Sequence, residues 1–254
     1  MRITVLGGRG LLGRQLTPLL KEAGHEVTVA SRTVAGPGHV TTDLATGEGL
    51  TDALRGAQVL VHLASDPHDP RATDIDGTDR LLALIGDHQH LIYVSIVGVD
   101  RHPHRYYRVK RRVEQMIESS GASFSILRST QFFDFIARLL NGAVARPVAL
   151  IPKRWVAQPV ETREVAAALA ELVETRPPGL QPDFCGPEIL TAEHLARTFM
   201  ETTHQTKPMV NLPTPGPVGR AFREGWHTNP ERAVGTKTWA EFLEGLRRHQ
   251  RPRY

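Results

Sequence analysis

Gly7, Gly8, Gly10 and Gly13 fall in the run GGRGLLG, directly after the apolar residues 2–6 and at the head of a helical pattern over residues 11–22. Glycines at a strand-to-helix turn leave backbone N–H groups and the positive helix end open to an anion such as a pyrophosphate. The spacing fits G-x-G-x-x-G (Gly8, Gly10, Gly13) and equally G-x-x-G-x-x-G (Gly7, Gly10, Gly13). Either pattern alone also serves an ordinary turn. Here strand, loop, helix and second strand follow in the right order, so Gly7, Arg9, Gly10, Leu11, Leu12 and Gly13 are expected to cradle a dinucleotide.

An acid at the end of the second strand would hold the ribose hydroxyls of NAD, but this chain has Ser31, Arg32 and Thr33 there. An acid repels a 2′-phosphate, whereas a hydroxyl beside a guanidinium hydrogen-bonds one. With Arg9 able to approach the same phosphate, the expected cofactor is NADP, with NADPH favoured over NADH. If Arg9 and Arg32 are merely solvated, that choice stays open.

Tyr106 and Lys110 stand four apart, so a helix places the phenol and the ammonium on one face. Tyr107, three before Lys110, shares that side, and spacing alone does not separate the two tyrosines. Pro103 disfavours helix at the residue before it, which puts Tyr106 in the first turn or just outside. His102 and His104 occupy the preceding loop; histidine titrates near neutrality, making either an alternative acid, although loop histidines are usually passive. No third ligand suggests a metal.

Elements to position these residues are readable. Strands are expected at residues 2–6, 27–30, 39–41, 59–64, 90–95 and 123–127, alternating with helices at 11–22, 49–55, 76–86 and 106–119. This is the layout of βαβ units, and the fold class is α/β: a Rossmann-like, doubly wound parallel sheet. The run VLVHLA at 59–64 is apolar almost throughout, as in a strand covered on both faces, so His62 reads as a tolerated core residue. Beyond residue 127 the alternation loosens. Helices are expected near 132–140, 162–174, 191–202 and 238–247 and a strand near 156–160, separated by Pro/Gly-rich links. The expected division is an NAD(P)-binding domain over 1–175 and a small C-terminal substrate-covering portion over 176–254, packed on the same domain.

Composition narrows the classes. The chain has 254 residues, 40 % hydrophobic and 23 % charged, which excludes disordered and fibrous classes. No run approaches the ~18 apolar residues of a membrane span, and the N-terminus has no signal-peptide layout, so a cytoplasmic protein without a membrane partner is expected. A single cysteine, Cys185, excludes an internal disulfide framework and a cysteine-based zinc site; it reads as a small buried residue. The net charge of +4 is mild, and its basic clusters at 101–112 and 247–253 come with no reading helix, so no nucleic-acid partner is expected. The C-terminal cluster reads as a solvated tail.

The chain resembles the atypical short-chain dehydrogenase/reductases, specifically the NmrA-like NAD(P)H-binding group. The resemblance rests on GGRGLLG at 7–13, Asp43-Leu44, HLAS at 62–65, VSIVGVD at 94–100, YYRVK at 106–110, ILRSTQFFDF at 126–135, AQPV at 157–160 and TWAEFL at 238–243. It implies that Asp43 and Leu44 flank the adenine and that Ala64 and Ser65 line the cofactor beyond the fourth strand. Lys110 would contact the nicotinamide ribose. Asp43 and Ser65 also suit plain turn-capping roles. In such reductases the ammonium lowers the phenol pKa, so that Tyr106 gives a proton to a carbonyl held by Ser95 while hydride arrives from the cofactor. Gln131, Phe132 and Phe133 follow the sixth strand and either face the substrate or belong to the core. The implied activity is NADPH-dependent reduction of a small or medium carbonyl, enone, imine or quinone. A non-catalytic redox-sensing regulator and an isomerase or epimerase are the alternatives.

Overall fold

The computed structural model describes residues 1–33 and 36–250, without the side chains of 248–250; the basic tail beyond them lies outside the described residues. The chain groups into two compact units interleaved along the sequence. The first is made of residues 1–95, 105–128 and 163–182, the second of 96–104, 129–162 and 183–254.

Strands of the first unit are β1 (Arg2–Leu6), β2 (Glu26–Ser31), β3 (His39–Thr41), β4 (Val59–His62), β5 (His90–Ile96), β6 (Ser123–Ser129) and, after residue 178, β9 (Gly179–Leu180). They form one sheet in the order β3-β2-β1-β4-β5-β6-β9. β1 pairs in parallel with β2 on one side and with β4 on the other, so the order reverses direction there. Open α/β sheets bind ligands at the carboxyl ends of the strands flanking such a reversal. Helices α1 (Leu11–Glu22), α2 (Leu50–Leu54), α3 (Gly77–Leu84), α4 (Arg105–Ser119) and α6 (Thr162–Thr175) connect the strands. Leu6, Leu60, Leu81, Leu91, Val113 and Ile126 belong to one apolar cluster, each at most 1 % exposed. Burying that much aliphatic surface in both sheet faces is what makes the strands apolar runs in sequence.

The expected helix over 76–86 is different in form. Residues Arg71–Asp76 make a π-helical turn that runs into α3, begun after Pro70, whose missing N–H is harmless there. Such wide turns are rare and gather at functional sites.

The second unit contains α5 (Phe133–Val144), β7 (Ala149–Pro152), β8 (Val156–Ala157), β10 (Leu190–Thr191), α7 (Ala192–Thr202), β11 (Met209–Leu212), α8 (Gly216–Arg223) and α9 (Trp239–Gln250). β11 lies parallel to β7, and β10 antiparallel to β8. The strand expected over 156–160 is thus two residues long. Phe133 is 1 % exposed and meets Trp239 and Phe242 at ring-centroid distances of 5.7 and 5.1 Å. It is therefore a core residue, the plainer of its two readings, because α5 turns that side chain onto α9. Phe132 is half-buried, bridged through its backbone to Val160. Cys185 is fully buried. Among the described residues, no helix is long and apolar enough to cross a membrane, and no group of His, Cys, Asp and Glu could hold a metal ion.

Candidate functional site

Gly7 and Gly13 of the first loop are required by close approaches of the backbone. Gly7 adopts φ +79°, and a Cβ there would stand 2.7 Å from the backbone nitrogen of Ala64, the residue two beyond β4. Its N–H donates to Ala30 O at 2.9 Å, tying the loop to β2. At Gly13 a Cβ would lie 2.5 Å from Gly8 Cα, so only glycine lets α1 enter this near the loop. Gly10 is the extended N-cap of α1, with no side chain capping that end and no acid in the first turn. The free N–H groups and the positive end of α1 therefore face the switch point, a cradle that a Cβ would fill and that fits a pyrophosphate. Leu11 is 40 % exposed beside it, while Leu12 packs into the sheet.

Arg9, Ser31 and Thr33 are knitted together at the end of β2. Arg9 Nη1 donates to the Thr33 hydroxyl at 2.5 Å and to its carbonyl at 3.2 Å, and the Ser31 hydroxyl donates to the same carbonyl at 2.8 Å. Arg32 is exposed and leans on Asp66 at 3.5 Å, an ion pair loose enough to contribute little to stability. Asp43 caps its own turn, its Oδ1 accepting from the Ala45 N–H at 2.9 Å, and the Leu44 side chain sits in the core. For these two residues the capping and packing roles are the ones the geometry displays.

β4 and α4 bring the remaining residues together. Ser65 Oγ, one residue past Ala64, lies 2.7 Å from the Tyr106 hydroxyl and donates to Asp74 Oδ1 at 2.7 Å. Tyr106 and Lys110 share a face of α4, and Lys110 Nζ rests over the Tyr93 ring of β5, 4.3 Å from its centroid. Lys110 is buried, and no hydrogen bond joins it to another described residue. Burial lowers its pKa to about 8, against the opposing pull of Asp74 and Glu114. Burial also raises the Tyr106 phenol to about 12, with the Ser65 hydrogen bond opposing and Asp74 reinforcing the rise. The expected lowering of this phenol by the ammonium is not what the structure presents, because desolvation dominates and Lys110 stacks on Tyr93. Tyr107 is buried, at 6 % exposure. The Ser95 hydroxyl is buried with no hydrogen-bond partner among the described residues, and the structure joins Tyr106 to Ser65.

The histidines separate from this cluster in character. His62 is buried, donates to or accepts from Thr78 Oγ1 at 3.0 Å, and burial lowers its pKa to about 3. In the second unit His102 is 1 % exposed, 4.5 Å from the Phe222 ring, and burial lowers its pKa to about 4. It is neutral across the physiological range, which removes the proton an acid at neutral pH would need. Asp74 and Tyr93 escaped the sequence reading. Asp74 is one of several acids over 66–79, and only the π turn singles it out; Tyr93 is placed under Lys110 by its register opposite His62.

A family model described as NAD(P)H-binding matches residues 7–176. Over 135 residues the chain is 52 % identical to the epimerase family protein SDR39U1 of Bos taurus, covering 49 % of this chain and 44 % of that one. The chain spans about half or less of the length of the curated relatives it matches. Among solved structures, the NADPH-dependent quinone oxidoreductase QOR2 of Escherichia coli, complexed with NADPH, superimposes with a TM-score of 0.78 at 17 % identity. That match covers 97 % of this chain and 99 % of the other. The Thermus thermophilus UDP-glucose 4-epimerase complexed with NAD gives a TM-score of 0.72 at 18 % identity over 98 % and 100 % of the two chains. Both structural likenesses speak to the fold. With the family match spanning the glycine loop, the switch point and the Tyr106–Lys110 helix, the chain belongs to the NAD(P)H-binding family of NmrA-like, atypical short-chain dehydrogenase/reductases.

Proposed function

We propose that this protein is an NADPH-dependent oxidoreductase acting on a small or medium carbonyl, enone, imine or quinone. One continuous set of contacts carries the reading. The glycine loop touches Ala64, and the next residue, Ser65, holds the Tyr106 hydroxyl at 2.7 Å. These contacts support a reading in which a dinucleotide laid across the switch point would end beside the phenol and the buried ammonium. Bound NADPH supplies the hydride. The α1 N-terminus would hold its pyrophosphate and Lys110 its ribose hydroxyls, and Tyr106 would give the proton to the substrate oxygen or nitrogen. Burial raises this phenol to about 12, so it carries its proton in the neutral range, as a proton donor must.

Arg9, Ser31, Arg32 and Thr33 support NADPH as the cofactor. Charge-assisted contacts to a 2′-phosphate are worth roughly 1–3 kcal/mol, about ten- to hundredfold in affinity. Titrating both cofactors by protein fluorescence checks this: NADPH binds more tightly, and Arg9→Ala or Arg32→Ala narrows the gap. Equal affinities would remove the NADP assignment. Screening carbonyls, enones, imines and quinones for NADPH consumption then tests turnover, and binding without any turnover would favour the sensor reading.

A further inference from the structure

Asp74 is 1 % exposed, and both of its carboxylate oxygens are engaged. Oδ1 accepts the Ser65 hydroxyl at 2.7 Å and Oδ2 the Asp66 N–H at 3.1 Å. A serine has one proton to give. Since Ser65 gives it to Asp74, the 2.7 Å link to Tyr106 is donated by the phenol. The chain of hydrogen bonds is directed, from Tyr106 through Ser65 to Asp74.

The same carboxylate bears on Lys110. The Lys110 ammonium rests over the Tyr93 ring of β5, on the helix face it shares with Tyr106, and the negative charges of Asp74 and Glu114 act on it. His62 of β4 lies beyond Tyr93, with ring centroids 5.3 Å apart, and is neutral. Glu114 is committed elsewhere: Arg128 grips it in two-pronged fashion at 2.9 and 2.6 Å, and Arg111 adds a contact at 3.0 Å. With the Glu114 charge offset by two arginines, the Asp74 charge is the larger of the two on Lys110.

We propose that Asp74 is a positioning residue for the proton donor: through Ser65 it fixes the direction of the Tyr106 hydroxyl, and its charge partners the buried Lys110 ammonium. This rests on the oxidoreductase reading above. To reach a substrate, the phenol proton needs only rotation about the Cζ–Oη bond, with the ring held in place. The Tyr106 O–H bond then breaks as an O–H or N–H bond forms on the substrate, hydride comes from NADPH, and the phenolate recovers its proton from water. Ser65 cannot protonate the substrate in its place while its own proton is held by Asp74.

Lysine-Cε NMR titration of the free protein tests the charge arm without cofactor or substrate, the Lys110 signal being assigned by its loss in Lys110→Arg. The wild-type midpoint is expected near pH 8. Asp74→Asn keeps an acceptor for the Asp66 N–H and lowers the Lys110 midpoint by about one unit or more, whereas Ser65→Ala, which keeps the carboxylate, leaves the midpoint in place. Single-turnover hydride transfer tests the hydroxyl arm, with both variants slowed roughly tenfold or more. An unmoved Lys110 midpoint in Asp74→Asn overturns the proposal, as does a Ser65→Ala rate equal to wild type. Wild-type protein that binds no NADPH overturns the oxidoreductase reading instead, and the NMR comparison still decides whether the Asp74 charge acts on Lys110. If Asp74→Asn fails to fold, Asp74→Glu keeps the charge and displaces it: a wild-type transfer rate in that variant refutes the positioning role, and a slowed rate with a charged Lys110 supports it.

Discussion

A lysine ammonium kept out of water costs stability, and the cost has a definite pH dependence. The Lys110 proton leaves the folded protein near pH 8 and the unfolded chain near 10.5. The penalty is therefore complete below pH 8 and fades as pH rises toward 10.5. A displacement of that size corresponds to roughly 3 kcal/mol. Lys110→Met, which fills the same space and forfeits the contact with Tyr93, is expected to gain about 1–3 kcal/mol at pH 7. Urea denaturation at pH 7 and pH 10 reads both the gain and its narrowing at the higher pH. NADPH affinity and hydride transfer should both fall, the signature of a site that trades stability for function. A Lys110→Met protein less stable than wild type at pH 7 would mean that the ammonium is structural. Tyr106→Phe removes only a hydroxyl; fold and NADPH affinity should persist while turnover drops by roughly 10²–10⁴-fold. Undiminished transfer in that variant would take the tyrosine out of the mechanism.

At the scale of elements, the parts that were legible in the sequence are those whose physics is local. β1, β2, β4, β5 and β6 are buried apolar runs bounded by glycines and polar turns, and their order alone implies a parallel sheet. β7, β10, β11 and α8 were not legible. β11 carries no fully buried side chain, β10 is two residues long, and α8 begins between Pro215 and Pro217, where composition reads as loop. Within the site, the glycine loop and the Tyr106–Lys110 face follow from spacing, whereas Asp74, which takes the proton of Ser65, is placed by the π turn, which has no sequence period of its own. The entry of α1 is the element on which the loop depends most. Gly13→Ala would press a Cβ to 2.5 Å from Gly8 Cα and 2.7 Å from Gly7 O, both backbone atoms that cannot step aside cheaply. The expected result is a loss of about 1–3 kcal/mol in denaturant stability together with weakened NADPH binding. Gly24→Ala, at a φ of +82° with open space around it, serves as the control: it should lose stability through backbone strain alone and leave the affinity intact. Equal affinity in Gly13→Ala and wild type would show that the loop tolerates displacement of α1.

Across the whole molecule, the two interleaved units carry buried histidines that must stay neutral. His62 lies in the first unit and His102 and His227 in the second; burial lowers them to about 3, 4 and 4. The unfolded chain takes up these protons near pH 6.5 while the folded protein does not. Stability from each is thus fully present above pH 6.5 and is lost as the pH falls toward 4, on the order of 1–3 kcal/mol apiece. Long-range charge acts in the same direction. The chain carries +4 with its 12 histidines neutral, so acid adds positive charge to a molecule already positive. Thermal unfolding scans from pH 7.5 to 4.5 should show a melting temperature that is level at the upper end and falls steadily below pH 6.5. His102→Phe, placed among the Phe222 and His227 rings at 4.5 and 5.6 Å, removes one titrating group without opening a cavity and should flatten that fall. His194→Phe, at an exposed helical position of the second unit, should leave the slope as it is. A profile unchanged in His102→Phe would assign the acid sensitivity to charge repulsion at the surface, and added salt would then restore the lost stability.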